Sequence, residues 1–210
     1  ADLDTLDTLP DREYVSGLAE VVKYGIIWDE AFFRRLERDA EALLCRDKEV
    51  LADVVARCCE IKAEVVAMDE RESGARAVLN FGHTLGHAVE RAGGYGGWLH
   101  GEAVAVGMRY AAHVSVCEKG FEEEEADRIE RLLKRLGLPL KPEAKGKAPH
   151  WKEIREGMKT DKKTRSGVPR FVLAAGLGEV VFGSEVSEEV LKAGYEAMFE
   201  DGEAASGEDS

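Results

Sequence analysis

The sequence predicts a mainly α-helical domain that carries one small β-hairpin. Two observations predict it. Apolar residues recur at spacings of three and four along most of the chain, the period of one helix face. A strand pattern stands near the C-terminal end, where RFVLAA and VVF flank the turn sequence GLGE.

The first helix rests on Val15, Leu18, Ala19, Val22 and Ile26. Asp29 is placed to cap the next, which runs through Phe33 and Leu36. Residues 48–69 form a long amphipathic helix with Leu51, Val54, Val55, Cys58, Ile61 and Val65 on one stripe. Residues 77–92 are expected to be helical despite Gly82 and Gly86, and 100–118 follow until Gly120. Glu122 to Glu125 place negative charge at the start of a helix that ends at Gly137 and Pro139. KPEAKGKAPH (141–150) is a loop, 151–159 a short helix, and Thr164–Gly167 a turn before the hairpin. Ser187, followed by Glu188 and Glu189, opens a last helix to about Phe199. The expected organisation is a linking segment at 1–10, a helical domain at 11–200 and a flexible acidic tail at 201–210. ADLDTLDTLPDRE reads as the end of a strand or linker, so a preceding domain is expected.

Composition narrows the function. The 210 residues hold 29 Lys and Arg against 42 Asp and Glu, a formal net charge of −13, with 44% hydrophobic and 34% charged residues. This is a globular composition. It argues against a general nucleic-acid binder, which needs a basic face, but leaves room for a local basic pocket. No stretch of about 20 apolar residues suggests a membrane span, and no basic-then-apolar signal segment opens the chain. The four cysteines (Cys45, Cys58, Cys59, Cys117) have no CxxC spacing. They are expected to be reduced, mostly buried thiols of a cytoplasmic protein.

The densest chemistry lies in Asn80-Phe-Gly-His83-Thr-Leu-Gly-His87. On one helix, Asn80, His83, His87 and Glu90 would share a face, and histidines at i and i+4 can ligate one metal. Each glycine costs about 1 kcal/mol against alanine inside a helix, which is tolerated where something approaches the backbone closely. His100, in WLHGEAVAVGM beside Glu102, and Glu20, at the edge of an apolar stripe, complete a possible His/His/Glu zinc site with an open position. Taken singly, each is equally a capping, packing or solvated residue. HTLGH lacks the glutamate of the zinc-protease signature. Lys23, Lys62, Arg76, Lys162 and Lys163 supply cations for an anionic substrate such as a phosphate or carboxylate.

Four blocks in order, GLAEVVKYG, DERESGARAVLNFGHTLGHAVE, GYGGWLHGEAVAVGM and DKKTRSGVPRFVL, resemble the C-terminal domain of the 3-dehydroquinate synthase family, from about Thr5 to Leu173. The resemblance implies a zinc or cobalt ion held by Glu20, His83 and His100, with His87 off the metal and in acid–base and phosphate-side chemistry. It implies Lys62, Arg76, Asn80 and His87 as catalytic groups. Lys23, Glu72 and Lys162 join them in substrate binding, with Lys163 an alternative to Lys162. Thr5, Leu6, Asp7 and Thr8 would touch NAD, held mostly by an amino-terminal nucleotide-binding domain. No glycine-rich dinucleotide loop occurs in this sequence.

The implied reaction converts 3-deoxy-D-arabino-heptulosonate 7-phosphate to 3-dehydroquinate and phosphate, in the shikimate pathway of aromatic amino-acid biosynthesis. Hydride removal to NAD makes a ketone that acidifies the neighbouring C–H, and phosphate leaves. The hydride then returns, the ring opens, and an aldol step closes the carbocycle. A cytoplasmic homodimer is implied, with no nucleic-acid or membrane partner. A related sugar-phosphate cyclase and a non-catalytic, metal-stabilised interaction domain are the alternatives. This chain alone is expected to be inactive.

Overall fold

The computed structural model describes residues 2–69, 74–94, 96–143, 146–159 and 169–200. Helices α1 (Asp11–Trp28), α2 (Glu30–Leu44) and α3 (Lys48–Asp69) come first, after a short 3-10 helix at Leu3–Thr8. A second 3-10 helix, Ala75–Asn80, leads into α4 (His83–Gly93) and α5 (His100–Lys119). Then follow α6 (Glu123–Arg135), α7 (Trp151–Lys159), strands β1 (Phe171–Gly176) and β2 (Glu179–Ser184), and α8 (Glu188–Ala197).

Helix α5 is the element around which the others pack. It buries every residue from Ala103 to Ala112, so no face of that stretch is solvated. A helix apolar on every side is a core helix. Its small residues admit neighbours at short range, and α1, α4, α6, α8 and β1 all pack on it. One side forms the larger core with Ile26, Phe33, Leu36, Ile61, Phe81 and Ile129. The other joins Leu85, Val89, Tyr110, Ile154, Leu173 and Leu191.

The strands pair antiparallel, with Leu173 opposite Val181 and Ala174 opposite Val180. Gly178 takes φ +86° in the turn between them and donates its N–H to Ile26 O at 2.8 Å. The buried Ser115 hydroxyl accepts from Ala174 N–H at 2.8 Å, fastening β1 to α5. Asp29 caps α2 by accepting from Phe32 N–H at 2.9 Å and also receives Arg57 Nε–H at 2.9 Å.

Three expectations need correction. The opening segment holds a 3-10 helix at Leu3–Thr8 rather than the end of a strand, with the Asp2 carboxylate accepting from Asp4 N–H. The single helix expected over 77–92 is two pieces, broken at Phe81 and Gly82. Gly82 sits at φ +79°, and a Cβ there would lie 2.8 Å from the Met108 backbone nitrogen. The approach of α5 therefore demands the glycine and ends the 3-10 turn. Finally, Cys45, Cys59 and Cys117 are exposed and Cys58 half-buried, all four unpaired. On α3, Cys58 lies on the stripe of Leu51, Val54, Ile61 and Val65 and packs partly against the core, while Cys59, the next residue, is exposed. The turn expected at 164–167 and the tail at 201–210 lie outside the described residues. Among the described residues no helix is long and apolar enough to cross a membrane.

Candidate metal centre

Three helices deliver one donor each to a common point. Glu20 comes from the middle of α1, His83 is the first residue of α4, and His100 the first of α5. Glu20 Oε1 lies 3.7 Å from His83 Nε2 and 4.0 Å from His100 Nε2. All three donor atoms fall within 4.8 Å of one another.

The helix starts explain this convergence. Gly82, in the left-handed region, turns the chain so that α4 begins at His83. Glu102 fixes the start of α5 by accepting from Leu99 N–H at 2.9 Å. The same carboxylate receives Arg12 Nε–H at 2.6 Å and Arg12 Nη2–H at 2.7 Å, which ties α1 to α5. Gly101 completes the crossing, since a Cβ on it would overlap the Ser16 carbonyl of α1.

The donor set has the character of a cation site. Glu20 Oε1 is buried and has no hydrogen-bond partner, although the side chain as a whole is about a third exposed. Burial of an unpartnered carboxylate oxygen is costly, and two ring nitrogens at 3.7 and 4.0 Å leave space between them for an ion. The other oxygen, Oε2, accepts from Lys23 Nζ at 2.5 Å. His83 Nδ1 lies 3.1 Å from Phe81 O, so Nδ1 carries the proton and Nε2 presents its lone pair to Glu20. Burial, reinforced by the Lys23 ammonium, pushes the His83 pKa down to about 4. The ring is therefore neutral near pH 7, the form that ligates a metal. His100 Nδ1 lies 3.4 Å from Glu90 Oε2, a carboxylate placed to orient that ring. Two imidazoles and one carboxylate suit zinc or cobalt better than magnesium or calcium.

His87 stands one turn after His83 on α4. Its ring centroid is 5.5 Å from that of His83 and 6.1 Å from that of His100. Among the described residues, no set of three donors contains both His83 and His87. The i, i+4 histidine pair thus does not form the ligand pair that spacing alone allows. Its rings are nearly perpendicular, at 89°.

The basic residues fall around this point unevenly. Lys23 is buried, and its pKa is lowered by burial, an effect opposed by Glu20 and increased by Lys62. Lys62 is exposed on α3, and Arg76 is exposed on the second 3-10 helix. Asn80 ends that helix and donates its side-chain N–H to Ala77 O at 3.0 Å. Because the helix breaks at 81–82, Asn80 does not share an α-helical face with His83 and His87. Thr5, Leu6, Asp7 and Thr8 lie on the first 3-10 helix, away from the histidines in sequence and held from the α2–α3 corner. Arg46 donates to Leu6 O and Asp7 O, each at 3.1 Å, and Lys48 donates to Asp7 Oδ2 at 2.7 Å. Glu72, Lys162 and Lys163 lie outside the described residues.

Sequence reasoning missed the supporting roles of Arg12, Glu90 and Glu102. A glutamate at the third position of a helix is a readable capping signal for Glu102. The Arg12 contact depends on how α1 crosses α5 and has no local signature.

The family profile described as 3-dehydroquinate synthase C-terminal matches residues 17–164. The chain is 48% identical over 190 residues to a 3-dehydroquinate synthase of Pelobacter propionicus, covering 90% of this chain and 52% of that protein. It is 46% identical over 191 residues to one of Pseudoalteromonas atlantica, covering 91% and 53%. Among solved structures, it resembles 2-epi-5-epi-valiolone synthase from Streptomyces hygroscopicus subsp. jinggangensis 5008, with NAD+ and Zn2+ bound. The TM-score is 0.81 at 26% identity, over 94% of this chain and 54% of that one. It also resembles 2-deoxy-scyllo-inosose synthase complexed with carbaglucose-6-phosphate, NAD+ and Co2+, with a TM-score of 0.77 at 26% identity, over 93% and 55%. The chain thus spans about half the length of the proteins it matches. With the profile match covering most of its helices and close relatives over nine-tenths of its length, the chain belongs to the 3-dehydroquinate synthase family, in the C-terminal part of that family's sequence.

Proposed function

We propose that this chain is the metal- and substrate-binding part of a 3-dehydroquinate synthase, acting on 3-deoxy-D-arabino-heptulosonate 7-phosphate to give 3-dehydroquinate and phosphate. The observation that carries this reading is Glu20 Oε1, buried without a hydrogen-bond partner and facing His83 Nε2 and His100 Nε2. The names of the relatives at 46–48% identity supply the product, 3-dehydroquinate, and the family resemblance implies the heptulosonate phosphate as substrate. A purely structural interaction domain gives no reason to bury an acceptor and point two imidazole nitrogens at it.

In this reading Glu20, His83 and His100 hold a divalent zinc or cobalt ion. When bound, that ion supplies Lewis acidity at a substrate alcohol, and NAD supplies a hydride acceptor and donor. Lys23 aims the Glu20 carboxylate through its bond to Oε2. Glu90 holds the His100 ring, and the Phe81 carbonyl holds that of His83. His87 lies beside both rings and takes or returns a proton on the phosphate side. Lys62, Arg76, Asn80, Glu72 and Lys162, or Lys163 in its place, bind the phosphate and carboxylate, and Lys62, Arg76, Asn80 and His87 line one cleft. Cations there stabilise charge on the departing phosphate. Thr5–Thr8 meets NAD at one edge, positioned by Arg46 and Lys48. The remaining NAD contacts belong to the amino-terminal half of the enzyme's length, and the complete enzyme is a cytoplasmic homodimer.

The test is to assay the 210-residue chain with Zn2+, saturating NAD and the heptulosonate phosphate, then to add the amino-terminal half of a 3-dehydroquinate synthase. Holding the hydride acceptor against its carbon contributes about 7–11 kcal/mol in favourable cases. Turnover is therefore expected only on mixing, and turnover by the chain alone would overturn this division of the site. A second reading, a cyclase making another carbocycle, is favoured by the two solved relatives. A panel of sugar phosphates separates the two, and preference for a seven-carbon acid phosphate supports the first.

A further inference from the structure

The His100 ring has two nitrogens, and the structure uses them in opposite directions. Nε2 faces Glu20 Oε1 at 4.0 Å, while Nδ1 faces Glu90 Oε2 at 3.4 Å. His87 lies three residues before Glu90, on the same side of α4. Its ring is tilted only 30° from that of His100, at 6.1 Å. Donor atoms of His87, Glu90 and His100 fall within 4.8 Å of one another, a second set as tight as the first by that measure.

We propose that His87, Glu90 and His100 form a second divalent-cation site, joined to the Glu20–His83–His100 site through the shared His100 ring. Two imidazole nitrogens and one carboxylate oxygen select the zinc and cobalt class, as in the first set. The shared His100 side chain is 50% exposed and Glu90 31%, so a cation there keeps water in its remaining positions.

Occupation is a ligand exchange with no change of oxidation state. With only the first set filled, Nδ1–H of His100 donates to Glu90. The second cation takes the Nδ1 lone pair, one Glu90 oxygen and one His87 nitrogen, and the displaced Nδ1 proton passes to solvent. That exchange makes the second cation the weaker of the two. If His87 is the proton-transfer group of the proposed reaction, which this consequence rests on, excess cation withdraws it and inhibits.

Calorimetric titration with Zn2+ alone, in the presence of a thiol reductant, tests the site without activity. The chain is expected to show two binding steps. His87→Ala should abolish the weaker and keep the tighter, and Glu20→Gln should do the reverse. Glu90→Gln, which can still accept from His100, serves if the His87 variant does not fold. One step lost in Glu20→Gln and kept in His87→Ala overturns this site and leaves the first intact. One step lost in His87→Ala and kept in Glu20→Gln supports this site and overturns the first. Two steps indifferent to His87 and Glu90 overturn the proposal in favour of thiol or surface binding, and no binding at all overturns both.

Discussion

Gly101 of α5 lies against Ser16 of α1 so closely that a Cβ on it would overlap the Ser16 carbonyl oxygen. This contact sets the separation of the two helices one turn before Glu20 and next to His100. It is therefore a positioning device for the donor set as well as a packing feature. The Gly101→Ala variant is expected to lose about 1–3 kcal/mol through overpacking. Its Zn2+ affinity is expected to fall by about 10–100-fold, the loss typical when a group that orients a ligand is disturbed. Thermal unfolding and zinc titration check the two effects. Unchanged affinity would show that the crossing does not aim the donors.

The Ser115 hydroxyl donates to Ala111 O at 2.6 Å and accepts from Ala174 N–H at 2.8 Å, fully buried. Ser115→Ala leaves the strand amide without a partner. The expected cost is about 1–3 kcal/mol, read by urea denaturation, with faster hydrogen exchange in residues 171–176 than elsewhere. Uniform exchange would place the loss in α5 instead.

Burial alone would raise the Asp29 pKa, but the Phe32 amide and the Arg57 guanidinium outweigh it and hold the carboxyl below its ordinary 3.8. A depressed folded-state pKa contributes stability that is present above the unfolded value and lost as pH falls through the folded one. Asn at this position keeps the cap and removes the charge. Asp29→Asn is expected to be less stable than the parent by about 1 kcal/mol near neutral pH. The difference should shrink as pH drops below 3.8. A difference that stays constant through that range would assign the effect to something other than the carboxylate charge.

Much of the fold was legible because each helix face is written in apolar spacing. Val22 and Ile26, or Ile61 and Val65, are buried where the period puts them. The break at Phe81–Gly82 was not legible. Gly82 reads as a tolerated helix glycine until the Met108 backbone is brought beside it. Glu20, His100 and the two α4 histidines were readable as candidate donors, but the choice of His83 over His87 came only through motif resemblance. Local spacing favours pairing His83 with His87, yet Glu20 and His100 are brought to His83 by the crossing of α1, α4 and α5, a tertiary fact. The exposure of Cys45, Cys59 and Cys117 escaped for the converse reason. An apolar-looking residue beside a buried stripe carries no sign of which flank it occupies.

The central claim is that Glu20, His83 and His100 converge on one ion. Anomalous diffraction at the zinc edge, from crystals grown with a single equivalent of Zn2+, tests it most directly. The expected result is one peak at about 2.0–2.2 Å from Glu20 Oε1, His83 Nε2 and His100 Nε2, with His87 outside coordination distance. A peak ligated by His83 and His87 together, or one that leaves Glu20 Oε1 unbound, would contradict the account.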